Sequence, residues 1–175
     1  MYEKFGKLSL EGLNAKGEEL VNSGDMDGLR ELAAENGLGE LVDMYAEGET
    51  DRLCEDVMDA AMARIDLEAD DLGAEEIMGD WADYIRSLVM EHEEVAVQVM
   101  DPKKSFIGCV GVLAAYSITH AEPVPQEIIK AMDAAVTDAQ LKKLGLQRNH
   151  LRYTKIGMPG IGTAKKLIRG YYAEA

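Results

Sequence analysis

The residues with the greatest potential for chemistry lie near the C-terminus, where glycines and cationic side chains alternate. Gly157, Gly160 and Gly162 fall within six positions together with Pro159. This composition predicts a tight bend, because glycine admits positive φ and proline fixes its own φ. Free backbone N–H groups in such a bend, followed by a helix capped at Gly162 or Thr163, could bind a phosphate or a carboxylate.

Cationic residues surround this bend and define the expected site. We predict partner or nucleic-acid contacts at six residues: Lys155, Gly160, Gly162, Lys165, Lys166 and Arg169. The bend also resembles the hairpin of a helix-hairpin-helix DNA-binding motif, although Lys166 stands where that motif usually has a small residue. A structural role is an equally open alternative, in which the bend only turns the chain so that the last helix docks on the body.

Patterns for catalysis and metal binding are weak elsewhere in the chain. The two cysteines, Cys54 and Cys109, and the three scattered histidines predict neither a disulfide nor a metal site. The glycine bend lacks the spacing of a P-loop, and no Ser-His-Asp or Cys-His set can be assembled. We therefore expect a protein without catalysis, cofactor or metal. An enzyme acting on a small anionic substrate is the alternative, and it requires a concave pocket near the bend.

Charge is divided unevenly along the 175 residues, whose formal net charge is −15. Residues 1–100 carry 27 Asp and Glu against 7 Lys and Arg, whereas residues 101–175 carry 6 acids against 11 bases. Such an acidic body avoids free nucleic acid and is attracted to basic clefts, with an association that salt weakens. The alternative is a solvated surface that only keeps the protein soluble.

Hydrophobic periodicity predicts a mostly helical chain. Helices are expected from Ser9, from Asp25 or Asp27, around residues 41–48, from Thr50 through Ile65, from Glu75 to Met100 with a bend near His92, from Ser105, around residues 128–132, around residues 138–144, and after the glycine bend. Residues 147–156 alternate loosely between polar and apolar types, which predicts an extended segment or a short strand. Trp81 and Tyr84 share the spacing of the core residues around them.

These elements predict a compact multi-helix single domain with a short extended or β segment before the C-terminal helix. An acidic helical subdomain is expected at residues 1–48, and a main helical domain with the basic glycine-rich turn and helix at residues 49–175. The apolar runs are too short and too interrupted to span a bilayer, and no charged start is followed by an apolar core, so no signal peptide is expected. We therefore expect a cytoplasmic protein with no membrane partner.

Three segments carry a resemblance to a known family. Residues 102–110 (PKKSFIGCV) follow a long helix that contains residues 77–85 (IMGDWADYI), and residues 157–166 (GMPGIGTAKK) close the chain. Over about residues 50–172 the chain resembles the PcfK-like proteins of Firmicutes prophages and mobile elements, in whose neighbourhood several anti-CRISPR proteins inhibit type II RNA-guided nucleases. The resemblance implies a phage or mobile-element protein in the cytoplasm of a bacterial host.

The resemblance and the charge division together lead to one functional expectation. We expect an anti-CRISPR protein whose partner is a type II CRISPR effector nuclease with its guide RNA, and which obstructs engagement of target DNA. The alternative is a small accessory protein of a mobile element that binds DNA directly through its helix-hairpin-helix-like turn.

Overall fold

The helices begin and end where capping residues satisfy their free backbone groups. The computed structural model describes residues 2–173, except for the side chains of residues 152 and 153. Ten α-helices lie in these residues: α1 Leu10–Ser23, α2 Met26–Glu35, α3 Val42–Ala46, α4 Val57–Leu72, α5 Glu76–Glu91, α6 Glu93–Val99, α7 Phe106–Thr119, α8 Gln126–Ala135, α9 Asp138–Lys143 and α10 Ile161–Tyr171. A 3₁₀ helix at Arg148–Tyr153 and two short strands, β1 Glu122–Pro123 and β2 Lys155–Ile156, complete the secondary structure.

Local sequence accounts for several of these boundaries. Ser9 accepts a hydrogen bond from the N–H of Gly12 at the start of α1, and Asp25 accepts one from the N–H of Gly28 at the start of α2. Gly73 closes α4 with a φ of 61°, in the left-handed region that glycine tolerates best. The predicted caps at Ser9 and Asp25 are therefore confirmed, as is the mostly helical fold class with a short β segment before the last helix.

Two helix predictions need correction. The helix expected from Thr50 begins only at Val57, because Asp56 caps it by accepting a hydrogen bond from the N–H of Met58. Leu53 is nevertheless buried, in the loop that precedes the helix. The long helix expected to reach Met100 is two helices, α5 and α6, separated by the extended backbone of His92. The predicted bend near His92 is thus a complete break.

The described chain divides into two compact units. The first contains the residues up to Val110 and those from Lys165 onwards, and the second contains Gly111–Ala164. The boundary predicted near residue 48 lies within the first unit. The prediction that residues 1–48 form a separate subdomain stays a prediction. Among residues 2–173, no helix combines the length and the apolar character that crossing a membrane requires.

The first unit is built around α4, which packs against both α5 and α6. Apolar side chains spaced by three and four residues along these helices form its core. Side chains of α1, α2 and α10 also contribute, and among the most deeply buried residues of the unit are Leu13, Leu29, Leu32, Ile65, Ile85, Leu88, Val89, Ala96 and Ile168. Trp81 and Tyr84 are half-buried rather than part of this core.

The second unit joins α8 to the 3₁₀ helix and pairs the two strands. β1 and β2 are antiparallel, with Glu122 opposite Ile156 and Pro123 opposite Lys155. The extended segment predicted at residues 147–156 is therefore extended only at its end, since Arg148–Tyr153 forms the 3₁₀ helix. The β pair brings the chain to the glycine bend.

Candidate functional site

Close packing requires one glycine of the bend, Gly157, and positive φ requires none of the three. None of Gly157, Gly160 and Gly162 is among the glycines with positive φ, so the conformational reason given for the bend is wrong. A Cβ at Gly157 would lie 1.9 Å from the carbonyl oxygen of Ser117, a distance at which the backbone would have to move. At Gly160 and Gly162 a Cβ would meet open space.

The last helix starts directly after Gly160. The Gly160 carbonyl oxygen accepts hydrogen bonds from the N–H groups of Thr163 and Ala164, each with an N···O distance of 2.9 Å. Gly162 and Thr163 therefore lie inside the first turn of α10, and the prediction that one of them is the N-cap is wrong. The helix N-terminus is exposed at Gly160, Ile161 and Gly162.

Two of the predicted cationic residues lie on one aromatic ring. The Nζ of Lys165 is 4.6 Å from the centroid of the Tyr84 ring, and the Cζ of Arg169 is 5.9 Å from it. Lys165 and Arg169 are four residues apart, so they share one face of α10. Each cation–π contact of this kind contributes about 0.5–1 kcal/mol at an exposed site. These two side chains therefore help to hold α10 against α5.

The other predicted contact residues lie apart from this pair. The Lys166 side chain is exposed and makes no ion pair or hydrogen bond with the described side chains. Lys155 is exposed on β2 and belongs, with Gly160 and Gly162, to the second unit. The structure thus brings Lys165 and Arg169 together and leaves Lys155 and Lys166 as the cations available to a partner.

A shallow groove of about 520 Å³ lies beside Arg169 in the first unit. Its charged and polar lining includes Arg169, His92, Glu94 and Gln98, with Leu88 and Tyr172 beneath them. A nitrogen of the His92 ring is 3.4 Å from a Glu94 carboxylate oxygen. Charges of both signs line the groove, so it selects neither an anionic nor a cationic ligand and gives no support to catalysis on a small anion.

A buried ionic cluster in the first unit was missed by sequence reasoning. Arg64 and Glu68 of α4 are each 1% exposed. Glu68 pairs with the Nζ of Lys7 and accepts a hydrogen bond from the Tyr2 hydroxyl, at an O···O distance of 3.1 Å. Its second oxygen accepts one from the N–H of Phe106, at 2.5 Å. Glu68 therefore joins the N-terminal arm to the first turn of α7.

Arg64 completes this cluster. Its guanidinium donates to the carbonyl oxygens of Leu8 and Val99, the latter at an N···O distance of 3.2 Å. Burial lowers the pKa of Arg64 from its ordinary value, while the nearby Tyr2 and Glu68 act in the opposite direction. The sequence signal was present, since Arg64 and Glu68 are four residues apart and adjoin the apolar stripe of Ala61 and Ile65. Arg64 and Glu68 are closed to solvent, so the cluster serves the fold.

The cysteines are equally inaccessible, which yields a chemical prediction. Burial raises the pKa of the Cys109 thiol to about 12, and it also raises the pKa of Cys54. A thiolate forms only as the pH approaches the pKa, so at pH 8 about one Cys109 in 10⁴ is ionised. We expect iodoacetamide at pH 8 to leave Cys109 unmodified in the native protein over hours, as followed by mass spectrometry.

The unfolded chain provides the control for this measurement. In urea both thiols should be alkylated within minutes, since neither is then shielded from solvent. Rapid stoichiometric labelling of Cys109 in the native protein would show an activated thiol and would contradict a structural role.

Exposed carboxylates dominate the surface of the first unit. Residues 1–100 contain 27 Asp and Glu, exposed and buried together. Six of them lie within ion-pair distance of a lysine or arginine among the described side chains: Glu19, Asp27, Glu31, Asp66, Glu68 and Asp83. Two groups of five exposed carboxylates illustrate the rest. The acidic corner between α4 and α5 comprises Asp70, Asp71, Glu75, Glu76 and Asp80. The α3 patch comprises Glu40, Asp43, Glu47, Glu49 and Asp51.

In the chain, the acidic corner is flanked by arginines that already have partners, whereas an exposed arginine adjoins the α3 patch. No lysine or arginine occurs between Ile65 and Tyr84. The arginine that follows, Arg86, is bound by Asp66 and Asp83, with N···O distances of 2.6 and 2.7 Å. Arg52, by contrast, follows the α3 patch directly in the chain and is exposed. The strongest attraction for a cationic partner is therefore expected at the acidic corner.

Comparison with known proteins found no relative of this chain. The chain matches none of the protein-family models, curated proteins or solved structures with which it was compared.

Proposed function

We propose that this chain is a non-catalytic protein of a phage or mobile element that binds and inhibits a guide-loaded type II CRISPR nuclease. The acidic first unit would enter the positively charged channel that holds the guide-target heteroduplex, and target DNA would then be excluded from it. The proposal rests on the resemblance of residues 50–172 to PcfK-like proteins and on the surface charge of the first unit.

The acidic corner is the observation that carries the proposal. Its five carboxylates are exposed around one helix junction, and the arginine that follows them in the chain, Arg86, is already neutralised by two aspartates. A channel lined with lysines and arginines is the kind of partner that such a surface attracts. Lys155 and Lys166 would then contact guide RNA, displaced DNA or an acidic rim of the nuclease.

The experiment combines binding with an order-of-addition cleavage assay. The tagged chain is incubated with a panel of guide-loaded type II nucleases, recovered by pull-down, and then tested for inhibition of target cleavage. We expect inhibition when the chain is added before target DNA and little when it is added afterwards, because the channel is then occupied. Raising the salt concentration should weaken binding. Failure to bind or inhibit any nuclease of the panel would overturn the proposal.

Two variants, each with five carboxylates neutralised, show which surface contacts the nuclease. Converting the five carboxylates of the acidic corner to Asn or Gln should weaken nuclease binding on the order of tenfold, through loss of electrostatic complementarity. The same conversion in the α3 patch removes an equal charge and should weaken binding less than about threefold. Equal losses in the two variants would show that overall charge, rather than the corner, directs the interaction.

Lys166→Glu tests the cationic contribution without disturbing α10. Lys165 and Arg169 are unsuitable for this purpose, since replacing them also removes contacts with Tyr84. If the bend contacts the nucleoprotein partner, Lys166→Glu should weaken inhibition while the helical circular dichroism is unchanged. Unaltered inhibition would show that Lys166 is not part of the interface.

Direct DNA binding is the competing outcome. The bend follows a two-residue strand rather than a helix, which departs from a helix-hairpin-helix arrangement. A mobility-shift assay with the isolated protein distinguishes the two functions. Salt-sensitive DNA binding in the absence of nuclease would favour the accessory-protein function over inhibition.

A further inference from the structure

The N-terminal arm, residues 2–8, is held in the first unit by polar contacts with little apolar burial. No residue of the arm is buried, and none belongs to a helix or a strand. Among the described residues, no backbone–backbone hydrogen bond joins the arm to the rest of the chain. Every hydrogen bond that does join them uses a side chain on at least one side. Segments with little buried apolar surface open at a lower free energy than the core.

Two carboxylates of α2 bind the middle of the arm. The N–H groups of Lys4 and Phe5 donate to the two carboxylate oxygens of Glu35, at N···O distances of 2.7 and 3.0 Å. The Nζ of Lys4 lies 2.5 Å from a carboxylate oxygen of Glu31. Both the backbone and the side chain of Lys4 therefore depend on negative charge supplied by α2.

A carboxylate of α4 binds the two ends of the arm. Glu68 pairs with the Nζ of Lys7 and accepts the hydrogen bond from the Tyr2 hydroxyl. Each lysine of the arm also lies over an aromatic ring of the arm. The Nζ of Lys7 is 5.2 Å from the centroid of the Tyr2 ring, and the Nζ of Lys4 is 5.2 Å from that of Phe5. The arm thus presents two cations, each beside an aromatic ring, to three carboxylates.

Release of the arm leaves the start of α1 intact. Ser9 caps this helix through the N–H of Gly12, a contact that uses no residue of the arm. Tyr2 has a φ of 56°, a conformation that costs energy for an aromatic residue and is relieved when the arm opens. Gly6 has a φ of 72°, which glycine tolerates, and a Cβ there would meet open space.

The three carboxylates are called the arm site: Glu31, Glu35 and Glu68. We propose that the arm is a releasable strap, and that the arm site binds a cationic segment of a partner when the strap opens. The arm itself defines the chemistry of that segment, which is an extended peptide with two lysines or arginines beside aromatic side chains. This inference does not depend on nuclease binding, because the strap and its site lie within the isolated chain.

Native-state amide hydrogen exchange of the full chain, followed by NMR, tests the strap. The amides of Lys4 and Phe5 report opening of the arm, and the amide of Ile65, in the core of α4, reports global unfolding. We expect protection on the order of 10²–10³ for the arm and of at least about 10⁴ for Ile65. Arm amides as protected as Ile65 would overturn the proposal, since the arm would then open only on unfolding. Unprotected arm amides would also overturn it, since the arm would not be bound.

Two matched glycine variants separate local opening from unfolding. Gly6 and Gly48 have φ values of 72° and 75°, and at both a Cβ would meet open space. Valine is strained at such a φ. Gly6→Val strains only the closed arm, so it should lower the protection of the arm amides on the order of tenfold.

Gly48 lies in the turn after α3 and takes no part in holding the arm. The strain of Gly48→Val is therefore the same whether the arm is open or closed. This variant should lower the protection of Ile65 on the order of tenfold and leave that of the arm amides unchanged. An equal loss at Ile65 and at the arm amides in Gly48→Val would contradict a strap that opens by itself.

A free peptide with the sequence of residues 2–8, YEKFGKL, tests the arm site. It competes with a tethered arm, whose effective concentration is on the order of millimolar, so the wild-type chain should bind it with an apparent dissociation constant of that order. Gly6→Val raises the open fraction about tenfold and should lower this constant by the same factor. Displacement of the Lys4 and Phe5 amide signals of the isotope-labelled chain measures the binding.

Two controls complete the peptide experiment. Gly48→Val should bind the peptide as weakly as the wild type does. A peptide with glutamate in place of both lysines should not bind, because like charges would face the arm site. Equal binding of the two peptides, or binding that Gly6→Val does not tighten, would overturn the arm site as a place for cationic segments.

Discussion

Replacing Glu68 with alanine is expected to lower the free energy of unfolding by about 3–5 kcal/mol, the usual loss when one partner of a buried ion pair is removed. Glu68 is 1% exposed and is bound by Lys7, by Tyr2 and by the N–H of Phe106. Alanine leaves these three groups without their acceptor and leaves the charge of Arg64 less compensated. Urea denaturation followed by circular dichroism measures the effect.

Two further variants show whether the loss comes from the buried charge. Glu68→Gln keeps an oxygen for the N–H of Phe106 but removes the charge, so an intermediate loss is expected. Glu19→Ala makes the same substitution at an exposed helical residue that pairs with Lys16, and it should change stability by no more than about 0.5 kcal/mol. Losses of equal size for Glu68→Ala and Glu19→Ala would show that the buried cluster stabilises the fold no more than an exposed ion pair does.

Sequence reasoning predicted the helix boundaries that depend on contacts between residues close together in the chain. Ser9 and Asp25 cap their helices through N–H groups three residues away, a distance that sequence reasoning can span. Leu53 shows the limit of periodicity. It fits the apolar repeat of α4, but Asp56 starts the helix later, and Leu53 is buried from a loop instead.

Long-range contacts account for what sequence reasoning could not find. Arg64 and Glu68 belong to residue types that usually face water, and their burial depends on partners in the N-terminal arm and at the start of α7. Lys165 and Arg169 are four residues apart, a spacing that places them on one face of α10. That Tyr84 of α5 would occupy this face could not be predicted, because it depends on how two distant helices pack.

The second large effect is expected at Gly157. The Cβ of Gly157→Ala would lie 1.9 Å from the Ser117 carbonyl oxygen and 2.8 Å from backbone atoms of Ala121. Backbone atoms cannot rotate away as a flexible side chain does, so the bend must separate from the end of α7. We expect a loss of about 3 kcal/mol or more in the free energy of unfolding, at the upper end of overpacking effects.

Gly162→Ala distinguishes this clash from a general effect of glycine replacement. Gly162 lies in the first turn of α10, and its added Cβ would meet open space. Alanine is favoured over glycine within helices, so this variant should gain up to about 1 kcal/mol in urea denaturation. Opposite signs for the two variants would establish that Gly157 is required for close packing. If Gly157→Ala were as stable as Gly162→Ala, the contact between the bend and Ser117 would not hold the bend in place.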